Sequence, residues 1–509
     1  MGLRRNIVAT YANQAYVTLA SILTVPYYIR YMGTEAYGLV GFFVMLQAWF
    51  MLLDLGLTPT VARQTARYKG DAVAADEFLS LVRALELLFA VVGVFGGVVL
   101  YLGSGWLATR WLNAQALPAA QVQGSLEIIA AIVALRWMGG IYRSVISGAE
   151  RLVWLGNFGS AMATIRFIGV IGVLRYVDAR PTTFFAFQLF AAILEFAGLL
   201  AYAWRILPAP SAAKPSVWQG FVNARHLIRF SLSLAFTASI WVFVTQSDKL
   251  VLSKVLPLAE YGYFTLAALA ASGVTTLASP ISAALLPRMA RLEAEGKRPE
   301  LIVLYRESTQ MIAVLALSVS LTLALLAHSL LFGWTGNALI ASHAAPVLAW
   351  YALGNGVLAL SAFPYYLQYA TGDLRLHVIG NGVYVLILVP LIVWAARTWG
   401  GPGAGCVWLC MNVVYLFGWT PLIHQRIQPG LNGAWFARDI LAIALPIALA
   451  GTLLSLSMPE NPGRLAAFVQ AAILFTAMVV VGAACTSRGQ RRLSRMVTLF
   501  PRDALSRRR

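Results

Sequence analysis

Apolar residues fill this chain in long blocks that short polar segments separate. A helix that crosses a membrane needs about 20 mainly apolar residues, and about fourteen blocks reach that length. They cover approximately 7–30, 37–58, 78–102, 122–147, 153–175, 182–205, 230–252, 261–286, 308–331, 345–370, 377–397, 404–424, 437–457 and 465–485. This pattern predicts an all-α, polytopic membrane protein with about fourteen transmembrane helices. A barrel does not fit, because barrel strands are about ten residues long and alternate in polarity.

One segment of the chain occurs twice. The sequence YRSVISGAERLVWLGN at 142–157 returns as YLQYATGDLRLHVIGN at 366–381, an offset of 224 residues. The same offset relates Tyr37-Gly38 to Tyr261-Gly262, Ala66-Arg67 to Ala290-Arg291, and Arg5 to Arg229. The chain is therefore predicted to contain two copies of one membrane unit, which is typical of transporters with a substrate site between the copies.

The repeat predicts the domain organisation. Residues 1–205 hold the first six spans, and 227–427 hold the next six. An even number of spans gives both copies the same orientation, so the two lobes are parallel repeats. A proline-containing cytoplasmic linker, 206–226, joins them. Two further helices (428–487) and a basic tail (488–509) follow.

Composition and charge place the chain in a membrane and orient it there. Hydrophobic residues make up 60% of the sequence and charged residues 11%, whereas soluble domains average near half and a quarter. The net charge is +18, but most Lys and Arg fall on the side of the two termini. This positive-inside pattern predicts cytoplasmic termini and makes a nucleic-acid partner unnecessary. The tail, with eight arginines, is expected to contact anionic lipid headgroups.

Several motifs now resemble one family. They are PYYIRYMGTEAYGLVGF (26–42), LLDLGLTPTVARQTAR (52–67), QSDKLVLSKVLPLAEYGYFTLA (246–267) and SPISAALLPRMARL (279–292), together with the repeated segment. As a set they resemble the Wzx-type polysaccharide flippases, which export O-antigen or exopolysaccharide repeat units. These belong to the multidrug/oligosaccharidyl-lipid/polysaccharide exporter superfamily.

The resemblance implies a fold and a function. It implies a V-shaped pair of six-helix lobes in the bacterial inner membrane. It also implies transport of an undecaprenyl-pyrophosphate-linked oligosaccharide from the inner to the outer leaflet, beside polymerase and glycosyltransferase partners. The central cavity of the family is often cationic. The resemblance does not assign a functional role to any individual residue of this sequence.

Three ionisable residues fall near the middle of predicted spans. Such a residue costs about 2.5–3.5 kcal/mol on insertion scales unless it faces a partner or water. At about 1.5 Å per residue, Arg136 and Glu195 lie roughly 15 Å from the inner ends of their spans and Arg166 roughly 20 Å. Similar depth on three successive spans predicts a shared polar cleft. The second copy has uncharged residues at the equivalent positions, so the charges are confined to the first lobe.

The residue types suggest roles for these three charges. Arg136 and Arg166 are predicted to hold the pyrophosphate, because a guanidinium presents a planar fork of donors to phosphate oxygens. Glu195 is predicted to pair with one arginine in the empty site or to carry a coupling proton. A salt bridge that only joins packed helices is the alternative. The three cysteines offer no metal or disulfide framework, and no cofactor is expected beyond a coupling proton or Na⁺.

Other polar residues near span ends are candidate gate or capping residues. Asp54 precedes a glycine turn, and Asp248 and Lys249 stand together in a motif of the family. Pro26 and Pro280 are candidate hinges, because proline removes a backbone hydrogen bond and tends to kink a helix.

Two other functions compete with flipping. A drug or small-molecule antiporter of the same superfamily, coupled to a cation, would favour carboxylates over arginines in the first lobe. A membrane polymerase or ligase would be expected to carry acidic or His residues in a large outer loop. The longest predicted outer loop, about 103–121, has neither. The sequence therefore favours a transporter that is not an enzyme.

Overall fold

The computed structural model describes residues 3–54, 56–208, 217–460 and 462–490. This part of the chain is almost entirely helical and contains no strand, which confirms the predicted all-α class. The helices are α1 (Leu3–Met32), α2 (Thr34–Phe50), α3 (Leu57–Lys69), α4 (Ala75–Trp106), α5 (Ala119–Gly148), α6 (Leu152–Ala163), α7 (Val170–Tyr176), α8 (Pro181–Ile206), α9 (Val217–Val255), α10 (Leu258–Ala271), α11 (Gly273–Ala294), α12 (Arg298–Leu325), α13 (Ala327–Thr335), α14 (Ala338–Thr371), α15 (Arg375–Val414), α16 (Thr420–Ile427), α17 (Leu431–Ala434), α18 (Ala442–Leu456) and α19 (Arg464–Cys485).

Short segments of other helix types continue these helices. A 3-10 turn, Met51–Asp54, follows α2. The π-helical segments are Leu107–Trp111, Thr164–Gly169, Tyr415–Trp419 and Trp435–Leu441. Segments of this kind are rare and occur often at functional sites.

Ten helical stretches of the described residues are long and apolar enough to cross a membrane, so the chain is a multi-pass membrane protein. They are Thr34–Asp54, Ala75–Trp111, Ala119–Gly148, Leu152–Tyr176, Pro181–Ile206, Arg298–Leu325, Ala338–Thr371, Arg375–Ile427, Leu431–Leu456 and Arg464–Cys485. The stretch Arg375–Ile427 covers two predicted spans. Gly400 divides it, because its φ of 63° and ψ of −147° are not helical. The number fourteen stays a prediction.

Two predicted spans have different bounds in the structure. The span predicted at 37–58 is α-helical only to Phe50 and continues as a 3-10 turn to Asp54. Gly56 then turns the chain before α3 with a φ of 72°. A glycine adopts this left-handed conformation without the steric penalty of a Cβ. The span predicted at 261–286 consists of two helices that Ser272 separates.

The chain forms two compact units, Met1–Gly262 and Tyr263–Arg509. In the first unit α5 packs against α8, α4 and α3, while α1 packs against α6. Its core contains large side chains with almost no exposed surface, namely Phe42, Phe78, Phe89, Phe184 and Phe185. Because lipid is as apolar as a protein core, close packing of this kind holds membrane helices together. The pairing of α5 with α8 positions the candidate site.

In the second unit α12 packs against α14, and α18 and α19 pack against each other and against α12. The guanidinium of Arg306 on α12 holds the buried carboxylate of Asp439 through two contacts, Nε–Oδ2 at 2.6 Å and Nη2–Oδ1 at 3.1 Å. The C-terminal helices are thus fixed to the core of this unit. The predicted domain bounds stay a prediction, and residues 209–216 of the predicted linker and 491–509 of the predicted tail lie outside the described residues.

Candidate functional site

The first unit contains a cluster of charged side chains inside its membrane spans. Arg136 and Arg143 are seven residues apart on α5, which is about two helical turns, so they share one face. Gln188 and Glu195 have the same spacing on α8, which packs against α5. Arg166 lies in the π-helical segment Thr164–Gly169. Three chain segments therefore contribute to one cluster.

Glu195 bridges two of the arginines. Its Oε1 accepts a hydrogen bond of 2.7 Å from Nη2 of Arg143, and its Oε2 lies 3.9 Å from Nη1 of Arg166. The Glu195 side chain is 13% exposed and that of Arg166 is 21% exposed, whereas Arg143 is more than half exposed. The carboxylate thus pairs with a partly buried arginine on one side and an accessible one on the other.

Gln188 links the remaining arginine to this group. Nη2 of Arg136 donates to Oε1 of Gln188 at 3.3 Å, and Nε2 of Gln188 donates to the backbone carbonyl of Arg166 at 2.9 Å. Gln188 is buried, with 3% of its surface exposed. Its amide therefore satisfies a carbonyl of the π-helical segment and holds Arg136 in the same cluster as Arg166.

Aromatic rings line the cluster. The guanidinium carbon of Arg136 lies 5.3 Å from the ring centroid of Phe43, and that of Arg166 lies 4.5 Å from the centroid of Phe167. Such cation–π contacts stabilise a guanidinium by about 0.5–2 kcal/mol, the larger values applying to desolvated pairs. They supply no counter-charge, so the charge balance depends on Glu195.

The cluster has a surplus of positive charge and of hydrogen-bond donors. The cluster contains three guanidinium groups, from Arg136, Arg143 and Arg166, and one carboxylate, from Glu195. The buried Nε atoms of Arg136 and Arg166 have no hydrogen-bond partner among the described residues. An arginine carries five N–H donors and no acceptor. The arrangement can therefore accept an anion with several oxygens.

The structure brings the three predicted site residues Arg136, Arg166 and Glu195 into one group. Their role in binding substrate stays a prediction. Sequence reasoning missed Arg143 and Gln188. A signal for both existed, since each is seven residues from a predicted site residue on the same span. Among the described residues, no group of three or more His, Cys, Asp or Glu could hold a metal ion.

The candidate gate residues lie elsewhere in the first unit. Oδ1 of Asp54 accepts a hydrogen bond of 3.1 Å from the backbone N–H of Thr58 and another from its hydroxyl. This is a capping contact in the first turn of α3. Asp248 is buried and pairs with Lys249 at 3.3 Å, and the Lys249 ammonium also donates to the carbonyl of Thr245 at 2.7 Å. These contacts hold local backbone, and a gating role stays a prediction.

The two candidate hinge prolines lie inside helices. Pro26 is within α1, which continues to Met32. Pro280 is within α11, and its side chain lies outside the part of the chain that the structure describes. Their hinge role stays a prediction.

We expect Gln188→Leu to weaken the cluster without changing its charge. The leucine leaves Nη2 of Arg136 and the carbonyl of Arg166 without this partner, and an unsatisfied buried polar group costs about 1–3 kcal/mol. Thermal unfolding of the purified protein should occur several degrees lower than in the wild type. Gln188→Asn, which keeps the amide on a shorter side chain, should retain part of the stability. Equal unfolding temperatures for wild type and Gln188→Leu would contradict the linking role.

The apolar helices of the described residues make the chain a multi-pass membrane protein, and its first unit contains an arginine cluster within the spans. Residues 3–293 match the sequence profile of the family described as polysaccharide biosynthesis protein. The chain belongs to this family. The family match confirms the predicted resemblance to polysaccharide flippases.

A relative from the comparison of whole sequences is consistent with this family. The chain is 20% identical over 195 residues to a protein of Shigella flexneri described as an O-antigen transporter. That match covers 38% of this chain and 46% of the relative, so it spans about half of the relative's length.

Two solved structures share the fold. One is lipid II flippase MurJ in an inward closed conformation, with a TM-score of 0.72 at 13% identity, covering 96% of this chain and 99% of that one. The other is an inward-facing multidrug resistance MATE family transporter of the MOP superfamily. Its TM-score is 0.64 at 14% identity, and the alignment covers 83% of this chain and 99% of that chain.

Proposed function

We propose that this protein moves an undecaprenyl-pyrophosphate-linked oligosaccharide from the inner to the outer leaflet of the bacterial cytoplasmic membrane. The observation that carries the proposal is the cluster itself, which brings three arginines and one carboxylate together within membrane spans. The family match and the likeness to an O-antigen transporter support a lipid-linked saccharide as the substrate class.

The pyrophosphate would bind between Arg136 and Arg166. The Nε–H group of each arginine has no partner among the described residues and could donate to the pyrophosphate. Charge-assisted hydrogen bonds to phosphate are roughly twice as strong as neutral ones. Glu195 neutralises part of the positive charge. When the pyrophosphate arrives, its oxygens would replace the carboxylate at Arg166, and Arg143 would keep Glu195 in place.

Transport would proceed by alternating access. The cytoplasm-open state would admit the anionic headgroup while the polyprenyl tail stays in lipid. Both termini would lie in the cytoplasm, where the basic tail would meet anionic headgroups. Glycosyltransferases that build the oligosaccharide and a polymerase that uses it would be the functional partners.

Membrane potential should accelerate this export. An inside-negative potential favours outward movement of negative charge by about 2.3 kcal/mol per charge per 100 mV. A headgroup with about two charges would gain at most about 4–5 kcal/mol at 100 mV, less any counter-charge that moves inward. In proteoliposomes with a potassium gradient and valinomycin, outward flipping should be faster when the potential is inside-negative than when it is collapsed. Equal rates would show that a counter-ion cancels the charge movement, as expected for strict coupling to a proton or Na⁺.

The two competing functions have less support from the structure. A cation-coupled antiporter with its site in this cluster would need an available carboxylate there, whereas Glu195 already contacts two arginines. An enzyme with its active site in the outer loop needs an acid or a base there. Glu35 contacts the loop predicted to lie outside. It accepts hydrogen bonds from the backbone N–H groups of Gln115, Ala116 and Leu117. This carboxylate therefore holds the loop instead of being available for chemistry.

Reconstitution tests the proposal. Proteoliposomes would carry a fluorescent polyprenyl-pyrophosphate oligosaccharide, and an impermeant quencher or glycosidase would report its exposure at the outer surface. We expect protein-dependent exposure with unchanged substrate mass. Exposure no faster than in protein-free vesicles would overturn the proposal. Polymerised or transferred sugar would point to the enzyme instead, and proton-dependent uptake of a cationic dye would point to the antiporter.

A further inference from the structure

A second cationic site lies in the first unit, apart from the cluster described above. It is a cavity of about 490 Å³ where the end of α3, the turn between α5 and α6, and the end of α8 meet. Lys69, Arg151 and Arg205 line it, one from each of these segments. Among the described residues of the lining, Glu150 is the only carboxylate. The local charge is therefore positive.

The ends of the membrane spans set the depth of this cavity. Two of the spans end at Gly148 and Ile206, and another begins at Leu152, and these residues lie in or beside the cavity lining. Trp204 is 40% exposed, and the guanidinium of Arg83 stacks on its ring at 3.9 Å. Exposed tryptophans collect at the interface between lipid and water. The cavity thus lies at the level of lipid headgroups, on the predicted cytoplasmic side.

The floor of the cavity is closely packed, and the backbone N–H groups of its turn already have partners. The backbone N–H groups of Ala149, Glu150 and Arg151 donate to carbonyls of α5. At Gly148 helices α3 and α5 approach so closely that an added Cβ would lie 2.2 Å from the carbonyl oxygen of Ala62. Recognition of a ligand therefore falls to the three basic side chains.

The second copy of the repeat provides an internal comparison. At the offset of 224 residues Lys69 corresponds to Glu293 and Arg205 to Pro429, while Arg151 corresponds to Arg375. Asp373 in the second copy pairs with Arg426 at 2.8 Å. The backbone N–H of Arg375 lowers the pKa of Asp373, and the Arg426 guanidinium adds to the effect. The second copy thus has an acidic residue in place of Lys69 and a proline in place of Arg205, so these two basic positions of the lining are particular to the first copy.

We propose that the cavity lined by Lys69, Arg151 and Arg205 binds the phosphate headgroup of an anionic phospholipid of the cytoplasmic leaflet. The phosphate of such a lipid lies at this depth, and basic pockets between membrane helices on the cytoplasmic side are known to suit lipid headgroups. The site is separate from the proposed transport site and independent of the transported substrate. Its occupant would be a resident lipid that fixes the inner ends of α3, α5 and α8.

Lipid binding to the purified full-length protein tests this site. Native mass spectrometry would count bound phosphatidylglycerol and neutral phosphatidylcholine over a titration in detergent. The variant Lys69→Ala/Arg205→Ala should raise the apparent Kd for phosphatidylglycerol about tenfold or more, as expected from the loss of two basic contacts near the membrane surface. The matched control Arg375→Ala/Arg426→Ala removes the same charge from the second copy and should bind like the wild type.

Each other outcome would overturn the site. Equal losses of phosphatidylglycerol affinity in the variant and the control would mean that binding depends on the overall charge of the protein and not on this cavity. Equal binding of phosphatidylcholine would mean that the headgroup charge is not recognised. Inorganic phosphate at millimolar concentration should not displace the lipid, and if it does the ligand is a soluble anion. Because both substituted side chains are exposed, folding should survive, and the single variant Lys69→Glu offers a second test with the same expected loss.

Discussion

Arg136→Ala and Arg166→Ala should each abolish glycan export while protein levels stay normal. In the proposed site each substitution would remove at least two charge-assisted hydrogen bonds to the pyrophosphate, and such bonds contribute about 1.5–3 kcal/mol each. Export should therefore fall by about 100-fold or more. Arg136→Lys and Arg166→Lys keep the charge but lose the planar fork, so they should only weaken export.

Surface glycan in cells that lack the chromosomal gene provides the measurement, with immunoblots of the membrane fraction for protein level. Arg83→Ala is the matched control. Arg83 lies within a span of the first unit and pairs with Glu86 at 3.1 Å, but it is not part of the cluster. It should support export at close to the wild-type level. Normal surface glycan in both Arg136→Ala and Arg166→Ala would remove the site assignment.

The sequence predicted the charged members of the cluster for an energetic reason. A charge in the middle of a span is costly unless it faces a partner or water, so Arg136, Arg166 and Glu195 stand out against their apolar surroundings. Gln188 carries no charge, and Arg143 lies closer to the end of its span, so neither carries the same signal. Their contacts became visible only when α5 and α8 were packed together.

The local breaks in the helices were harder to predict. By hydropathy Thr164–Gly169 belongs to one apolar span with its neighbours. In the structure the segment is π-helical, and the carbonyl of Arg166 within it accepts a hydrogen bond from Gln188. Gly56 and Gly400 interrupt helices through their positive φ, while other glycines of the spans remain helical. Composition and the repeat were thus sufficient to predict the class of fold. The exact helix bounds could not be predicted, because they depend on packing between helices.

Glu195→Gln should separate binding from export. The substitution keeps the size of the side chain but removes the counter-charge of Arg143 and Arg166. We expect tighter binding of a soluble pyrophosphate such as farnesyl pyrophosphate, by about tenfold, because the anion no longer competes with a carboxylate (a tenfold change corresponds to about 1.4 kcal/mol). Export should fall, because no internal carboxylate replaces the pyrophosphate when it leaves. Isothermal titration of the purified protein and surface glycan in cells would measure the two effects.

Two matched variants distinguish this counter-charge role from the alternatives. Glu195→Asp keeps the charge and should remain closer to the wild type in both measurements. The double variant Arg143→Gln/Glu195→Gln restores the net charge of the cluster, so its affinity for farnesyl pyrophosphate should return toward the wild-type value. If Glu195→Gln loses export with unchanged affinity, the carboxylate instead carries a coupling proton. If affinity and export both stay normal while the unfolding temperature falls, Glu195 only joins α8 to its neighbours, and the pyrophosphate does not displace it.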